Sequence, residues 1–141
     1  MAKEKVICDS DVIIDYWNIN SKRHSDTKHI LEDEIGLNNV ALAAVTKMEL
    51  VVGATNKHEL ARINKNIHQF NILLINDEIT QLTIQLLQDY NLSHGLALPD
   101  ALIAATAVIT RFEIFTYNLK DYKFIKDIKL FDPQKHQAKN K

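Results

Sequence analysis

The fold of this chain is decided near its beginning, by the stretch Lys5-Val-Ile-Cys-Asp-Ser-Asp-Val-Ile-Ile-Asp15. The apolar run Val6–Cys8 is typical of a buried strand. Asp9 ends this run, and the N-cap residues Ser10 and Asp11 precede an apolar pattern that suits a helix. The stretch therefore predicts a strand that ends in a carboxylate and turns into a helix. In open α/β sheets, ligands bind at this edge.

Helical patterns alternate with short apolar runs along the rest of the chain, and this alternation is typical of a parallel sheet with helices on both faces. Each step between neighbouring parallel strands needs a crossover, which the helices supply. After the first strand, four more are predicted, at Val40–Val45, Ile72–Ile75, Ile114–Thr116 and Ile128–Phe131.

Length and composition indicate an ordinary globular protein. With 141 residues, 46% hydrophobic and 25% charged, the chain is expected to form one domain over residues 1–133, followed by a polar tail at 134–141. The net charge of -1 gives no global sign of a nucleic-acid binder, although a local basic stripe remains compatible with it. Cys8 is the only cysteine, which excludes an internal disulfide. We found neither a signal peptide nor a membrane span, so we expect a cytoplasmic protein.

Acidic and polar residues recur at the carboxyl edge of this predicted sheet. Because parallel strands all end at the same edge, side chains that follow different strands are expected to lie close together. Clustered carboxylates repel one another unless a cation neutralises them. Hard oxygen ligands at a water-accessible notch suit Mg²⁺ or Mn²⁺, which act on phosphate esters. The candidates are Asp9, Glu49, Asp100, Thr116, Asn118 and Asp121.

Each of these residues also has a purely structural interpretation. Asp9 and Asp11 both suit a helix cap, and Asp100 suits the first turn of a helix, where a negative charge complements the dipole. The segment Thr46-Lys-Met-Glu49 fits a capping box, in which the glutamate folds back onto the cap. Asn118 and Asp121 fit a cap pair. Only their shared edge favours the functional interpretation.

Basic residues near these positions are a weaker signal. Arg62 and Lys65 fall on one face of a predicted helix, opposite its apolar face, and Lys47 lies two residues before Glu49. These cations would suit contacts with a phosphate backbone, although a solvated charged face is the commoner explanation.

Four short motifs, in this order, resemble those of PIN-domain proteins, and specifically of VapC-type toxins. The opening Asp9–Asp15 is similar to the family's Asp-(Thr/Ser)-(Asn/Asp)-Val-Leu-Ile-Asp, and Met48–Gly53 to its Glu-Leu-x-x-Gly. Pro99–Ala105 is similar to its Asp-x-Leu-Ile-Ala-Ala. Thr116–Tyr122 is similar to its Thr-x-Asn-x-x-Asp-Phe, with tyrosine in the last position. The resemblance covers nearly all of residues 5–133.

This resemblance implies a three-layer αβα sandwich with a five-stranded parallel sheet, and a ribonuclease that depends on Mg²⁺ or Mn²⁺. It implies that Asp9, Glu49 and Asp100 are metal ligands and that Asp121 is a further catalytic acid. Many family members carry an acidic residue at the position of Asn118. Asp121, three residues later, would take over the role of that acid by acting through a water molecule. Asn118 would then be a supporting residue, together with Thr116 and Asp11. The implied partners are RNA, a VapB-type antitoxin and a second copy of the chain.

Two alternatives remain open. One is a catalytically weak PIN-like module that acts through a protein partner, and the asparagine at position 118 favours it. The other is a phosphatase, because Asp9-Ser-Asp11 is similar to the Asp-x-Asp opening of the haloacid dehalogenases. That family also needs a later acidic pair, which we do not find.

Overall fold

Parallel strands lie at the centre of the structure, a computed structural model that describes residues 5–133. The strands found there are β1 (Val6–Cys8), β2 (Val40–Ala43), β3 (Asn71–Leu73) and β4 (Glu113–Phe115). Their order in the sheet is β3-β2-β1-β4, and every pairing is parallel. Since β1 lies between β2 and β4, the residue that follows β1 leaves the sheet at a central position.

Helices make the crossovers between these strands. The helix at His24–His29 continues into a π-helical segment at Ile30–Ile35, and short 3-10 turns lie at Leu37–Asn39 and Leu119–Asp121. The α-helices are α1 (Ser10–Trp17), α2 (His24–His29), α3 (Ala44–Val52), α4 (Lys57–Ile67), α5 (Asp77–His94) and α6 (Leu98–Thr110).

The sheet has a hydrophobic cluster on each face, because successive side chains of a strand point to opposite sides. In β1, Val6 and Cys8 pack into the cluster that includes residues of α1 and α4. Ile7, between them, packs into the cluster that includes residues of α5 and α6. The chain is thus an α/β protein whose helices cover both faces of a parallel sheet, consistent with the predicted three-layer architecture.

The prediction of a five-stranded sheet is wrong for the residues that the structure describes. The segment predicted as the fifth strand makes one parallel bridge, between Ile114 and Leu130. Its two hydrogen bonds join Ile114 N to Lys129 O and Phe131 N to Ile114 O, each at 2.8 Å. Asp127, just before it, has a positive φ of 68°. The chain is therefore still turning when it reaches the sheet edge, and it pairs with only one residue of β4.

Two helix starts also differ from the sequence-based expectation. Helix α1 begins at Ser10, so of the three candidate caps it is Asp9 that is the N-cap: its backbone is extended, and its carboxylate accepts a hydrogen bond from Ser10 N. Helix α3 begins directly after β2, at Ala44, with no side-chain cap. Thr46 is therefore inside the helix, and the capping-box interpretation of Glu49 is wrong.

Two further expectations concern the chain ends and the membrane. The predicted polar tail at 134–141, like residues 1–4, lies outside the described residues. None of the helices found in residues 5–133 has the length and hydropathy needed to cross a lipid bilayer.

Candidate metal centre

Asp9 lies at the carboxyl end of β1 and is almost completely buried, with 8% of its surface exposed. Its Oδ1 accepts a hydrogen bond from Ser10 N at 2.8 Å. Its Oδ2 accepts from Thr116 Oγ1 at 3.0 Å and from the Tyr122 hydroxyl at 3.1 Å. A buried carboxylate is costly without such partners. These three donors therefore fix both its position and its rotamer.

Asp100 lies in the first turn of α6, just after Pro99, and the same tyrosine hydroxyl contacts it. Tyr122 donates to Asp100 Oδ1 at 3.1 Å, the same distance as to Asp9 Oδ2. Burial, and next the negative charge of Asp9, raise the pKa of Asp100. The first and third predicted ligands are therefore neighbours, joined by one hydroxyl.

Glu49 projects from the second turn of α3 and is solvent-exposed. Partial desolvation, and next the charges of Asp9 and Asp100, raise the pKa of Glu49. Its carboxylate forms no hydrogen bond or ion pair with any residue in 5–133. The structure thus brings the three predicted ligands within electrostatic reach of one another, and Glu49 is free to change its rotamer.

A second polar group, around Asp11, adjoins this cluster. Asp11 Oδ2 accepts from Tyr117 N and from Asn118 Nδ2, each at 3.1 Å, while its buried Oδ1 has no partner among the described residues. Burial, and next the charge of Asp9, raise the pKa of Asp11 from 3.8 to about 6. Thr116 connects the two groups, because its hydroxyl donates to Asp9 and accepts from Asn118 N at 3.0 Å.

Asp121 ends the 3-10 turn that leads into Tyr122, and its charge contributes to the raised pKa of Asp100. It is therefore near the cluster, although no hydrogen bond joins it to Asp9, Glu49 or Asp100 in the described part of the chain.

The three predicted RNA-contacting cations are placed differently. Arg62 lines a groove of about 430 Å³ whose wall also includes Glu49, Trp17 and Ile63. Lys47 and Lys65 are exposed. No ion pair joins these three cations to the acidic cluster within residues 5–133. Arg62 is thus the cation that the structure places beside a predicted ligand.

The donor set suits a hard divalent cation. All candidate ligands are carboxylate oxygens, and within residues 5–133 no lysine or arginine pairs with Asp9, Glu49 or Asp100 to neutralise them. In the same range, no three His, Cys, Asp or Glu side chains lie close enough to hold an ion as they stand. Of the three predicted ligands, Glu49 is the exposed one, and its carboxylate has no hydrogen-bond partner among the described residues.

Tyr122 is the residue of this centre that sequence reasoning missed. It is fully buried and contacts both aspartates. The available signal was its place in the last motif, where the family pattern has phenylalanine. A hydroxyl at an otherwise apolar position has to find a buried partner.

Comparisons with known proteins agree with this geometry. The model of the PIN domain family matches residues 6–126. The chain is similar to a solved chain from a toxin–antitoxin complex of Klebsiella pneumoniae, with 31% identity, a TM-score of 0.71, and coverage of 92% of this chain and 98% of that one. No curated protein gives a significant match.

Two other solved structures share the fold at lower identity. A chain of FitAcB from Neisseria gonorrhoeae has 23% identity and a TM-score of 0.72. A chain of DNA-bound VapBC from Salmonella typhimurium has 20% identity and a TM-score of 0.73. Each comparison covers 92% of this chain and 98% of the other. The chain therefore belongs to the PIN domain family, as its four motifs indicated, and within that family it resembles the VapC type.

Proposed function

We propose that this chain is an endoribonuclease that depends on Mg²⁺ or Mn²⁺ and cleaves RNA phosphodiester bonds. The observation that supports it best is the shared tyrosine: one buried hydroxyl contacts both Asp9 and Asp100, and the charges of both raise the pKa of Glu49. Three carboxylates from segments far apart in sequence thus influence one another, and no described cation offsets them.

In this proposal, Asp9, Glu49 and Asp100 hold the ion. When bound, a divalent cation supplies an activated water and neutralises charge on the phosphate. Asp121 is a further acid beside Asp100. It can hold a water and so take the role of the acidic residue that many family members have at the position of Asn118. Asn118 and Thr116 keep Asp11 and Asp9 in position through the hydrogen bonds described above. Arg62 contacts the RNA backbone from the groove that Glu49 also lines, and the exposed Lys47 and Lys65 are further contacts.

The biological role that we propose is that of the toxin in a type II toxin–antitoxin pair, with a VapB-type antitoxin as partner. Support comes from the similar chain of Klebsiella pneumoniae, which was solved in a toxin–antitoxin complex. We further propose that the nuclease domain spans residues 1–133 and acts in the cytoplasm as a homodimer.

A second candidate function is a PIN-like binding module with weak catalysis that acts through its protein partner. Asn118 favours it, because its amide donates to Asp11 Oδ2 and carries no negative charge for a second ion. This module would bind its partner without needing a metal, whereas a nuclease needs one.

The test is RNA cleavage by the wild type and by Asp100→Asn in the presence of Mn²⁺. Asp100 is preferred to Asp9 because Asp9 also caps α1, so its replacement would disturb folding. We expect Asp100→Asn to lose more than the 10–100-fold that is typical of changes around a metal site. Asp89→Asn is the matched control, since Asp89 is exposed on α5.

The result also separates the two candidates. Cleavage by the wild type that stops with a chelator and is retained by Asp89→Asn supports the nuclease. Equal cleavage by Asp100→Asn and wild type contradicts it. If no RNA is cut at any metal concentration, the binding module is favoured instead.

A further inference from the structure

The hydroxyl of Tyr122 has one proton and two acceptors. It lies 3.1 Å from Asp9 Oδ2 and 3.1 Å from Asp100 Oδ1, so these two oxygens can be no further apart than twice this distance. A phenol carries a single donor hydrogen. A hydrogen bond from a hydroxyl to one carboxylate is normally shorter, at about 2.5–2.7 Å. The hydroxyl is thus within hydrogen-bond distance of both aspartates, and its single proton can point to only one of them at a time.

This hydroxyl approaches the carboxylates from inside the protein. Tyr122 is completely buried in the hydrophobic cluster that includes residues of α5 and α6, whereas Asp100 is partly exposed. The hydroxyl therefore occupies the protein side of the pair.

The other oxygens of these two carboxylates have few donors among the described residues. Asp9 Oδ1 accepts one hydrogen bond, from Ser10 N, and Asp100 Oδ2 accepts none from the described residues. Two like charges this close disfavour each other's ionised form, and a hydrogen bond donated to a carboxylate favours it. Thr116 and Ser10 restrain Asp9, but Tyr122 is the donor that restrains Asp100 among the residues described.

We propose that Tyr122 is a positioning residue of the metal centre: its hydroxyl, by donating to Asp9 Oδ2 and Asp100 Oδ1, sets the orientation of both carboxylates for a divalent cation. This inference rests on the proposed metal-dependent function. The family motif has phenylalanine at this position. The proposed role therefore concerns the hydroxyl that tyrosine adds in this chain.

The test is calorimetric titration of Mn²⁺ into wild type and Tyr122→Phe, which removes only the hydroxyl. Partners that orient metal ligands typically contribute 10–100-fold in affinity, so we expect the Mn²⁺ dissociation constant to rise about tenfold or more. Tyr90→Phe is the matched control. It also loses a hydroxyl that makes a hydrogen bond, to Lys126 N at 3.3 Å, but this hydroxyl does not contact the acidic cluster.

A second measurement is made on the wild type and does not depend on whether Tyr122→Phe folds. Tyrosines labelled with ¹³C at Cζ give one resonance for each of the four tyrosines of the wild type. Tyr16→Phe, Tyr90→Phe and Tyr117→Phe assign the Tyr122 signal by elimination. We expect this signal to shift on Mg²⁺ binding, because the ion would bind the two carboxylates that the hydroxyl contacts.

The outcomes separate this inference from the proposed function. A weaker Mn²⁺ affinity in Tyr122→Phe alone, with a shifted Tyr122 resonance, supports the positioning role. Mn²⁺ binding that is equal in wild type and Tyr122→Phe overturns it and leaves the metal site standing. An unmoved Tyr122 resonance at saturating Mg²⁺ also overturns it. If the wild type binds no ion, both proposals fail.

Discussion

Asp11 shows how one residue is held in an unfavourable state beside the acidic cluster. Its carboxylate has one oxygen that accepts two hydrogen bonds and one buried oxygen without a described partner. Burial and the charge of Asp9 raise its pKa to about 6. In the metal-free protein, the negative charge of Asp11 at neutral pH therefore lowers stability.

Asp11→Asn should stabilise the metal-free protein at pH 7 by about 1 kcal/mol, allowing for solvent screening. Between about pH 4 and pH 6, the folded wild type keeps a proton on Asp11 that the unfolded chain has lost, so its free energy of unfolding falls as pH rises through this window. Asp11→Asn has no carboxylate at this position, so its free energy of unfolding does not fall in this way. Urea unfolding with chelator at both ends of the window measures the difference, with exposed Asp89→Asn as control. Equal pH slopes for wild type and Asp11→Asn would show that the account of Asp11 is wrong.

At the scale of elements, the alternation of strands and helices was readable from the sequence, but several ends were not. The apolar run Val6–Cys8 is a strand with the predicted bounds. The apolar residues at Ile79, Leu82, Leu86 and Leu87 predict a helix from Asp77 to about Tyr90, whereas α5 continues to His94. Its polar last turn is stabilised by bonds that no local pattern reveals, such as Asn91 Nδ2 to Leu96 O at 2.9 Å. The residue that ends it is Gly95, whose φ of 70° is left-handed.

Gly95→Ala should destabilise the protein by about 1 kcal/mol, because a left-handed backbone is unfavourable for alanine. The added Cβ meets no atom within 4 Å, so backbone strain is the only cost. Gly53→Ala is the matched control: Gly53 ends α3 with a φ of -71°, and its Cβ would lie 3.5 Å from two carbonyl oxygens. Alanine there should be neutral or stabilising by about 0.4–1 kcal/mol. Thermal unfolding compares the two variants, and the reverse order of stability would contradict the helix-end assignment.

At the scale of the whole molecule, the strand order brings together side chains that the sequence separates. Asp9 follows the inner strand β1, while Glu49 and Asp100 come from α3 and α6. The shared edge could be predicted, because all parallel strands end on the same side. The role of Tyr122 could not, because it depends on how the 3-10 turn after β4 directs one side chain beneath the aspartates.

The most direct measurement of the central claim is anomalous diffraction from crystals of the protein grown with Mn²⁺. The account predicts a manganese peak coordinated by oxygens of Asp9 and Asp100, with Glu49 rotated towards it. Well-ordered Asp9 and Asp100 with no manganese between them, or a peak only at another place in the molecule, would contradict it.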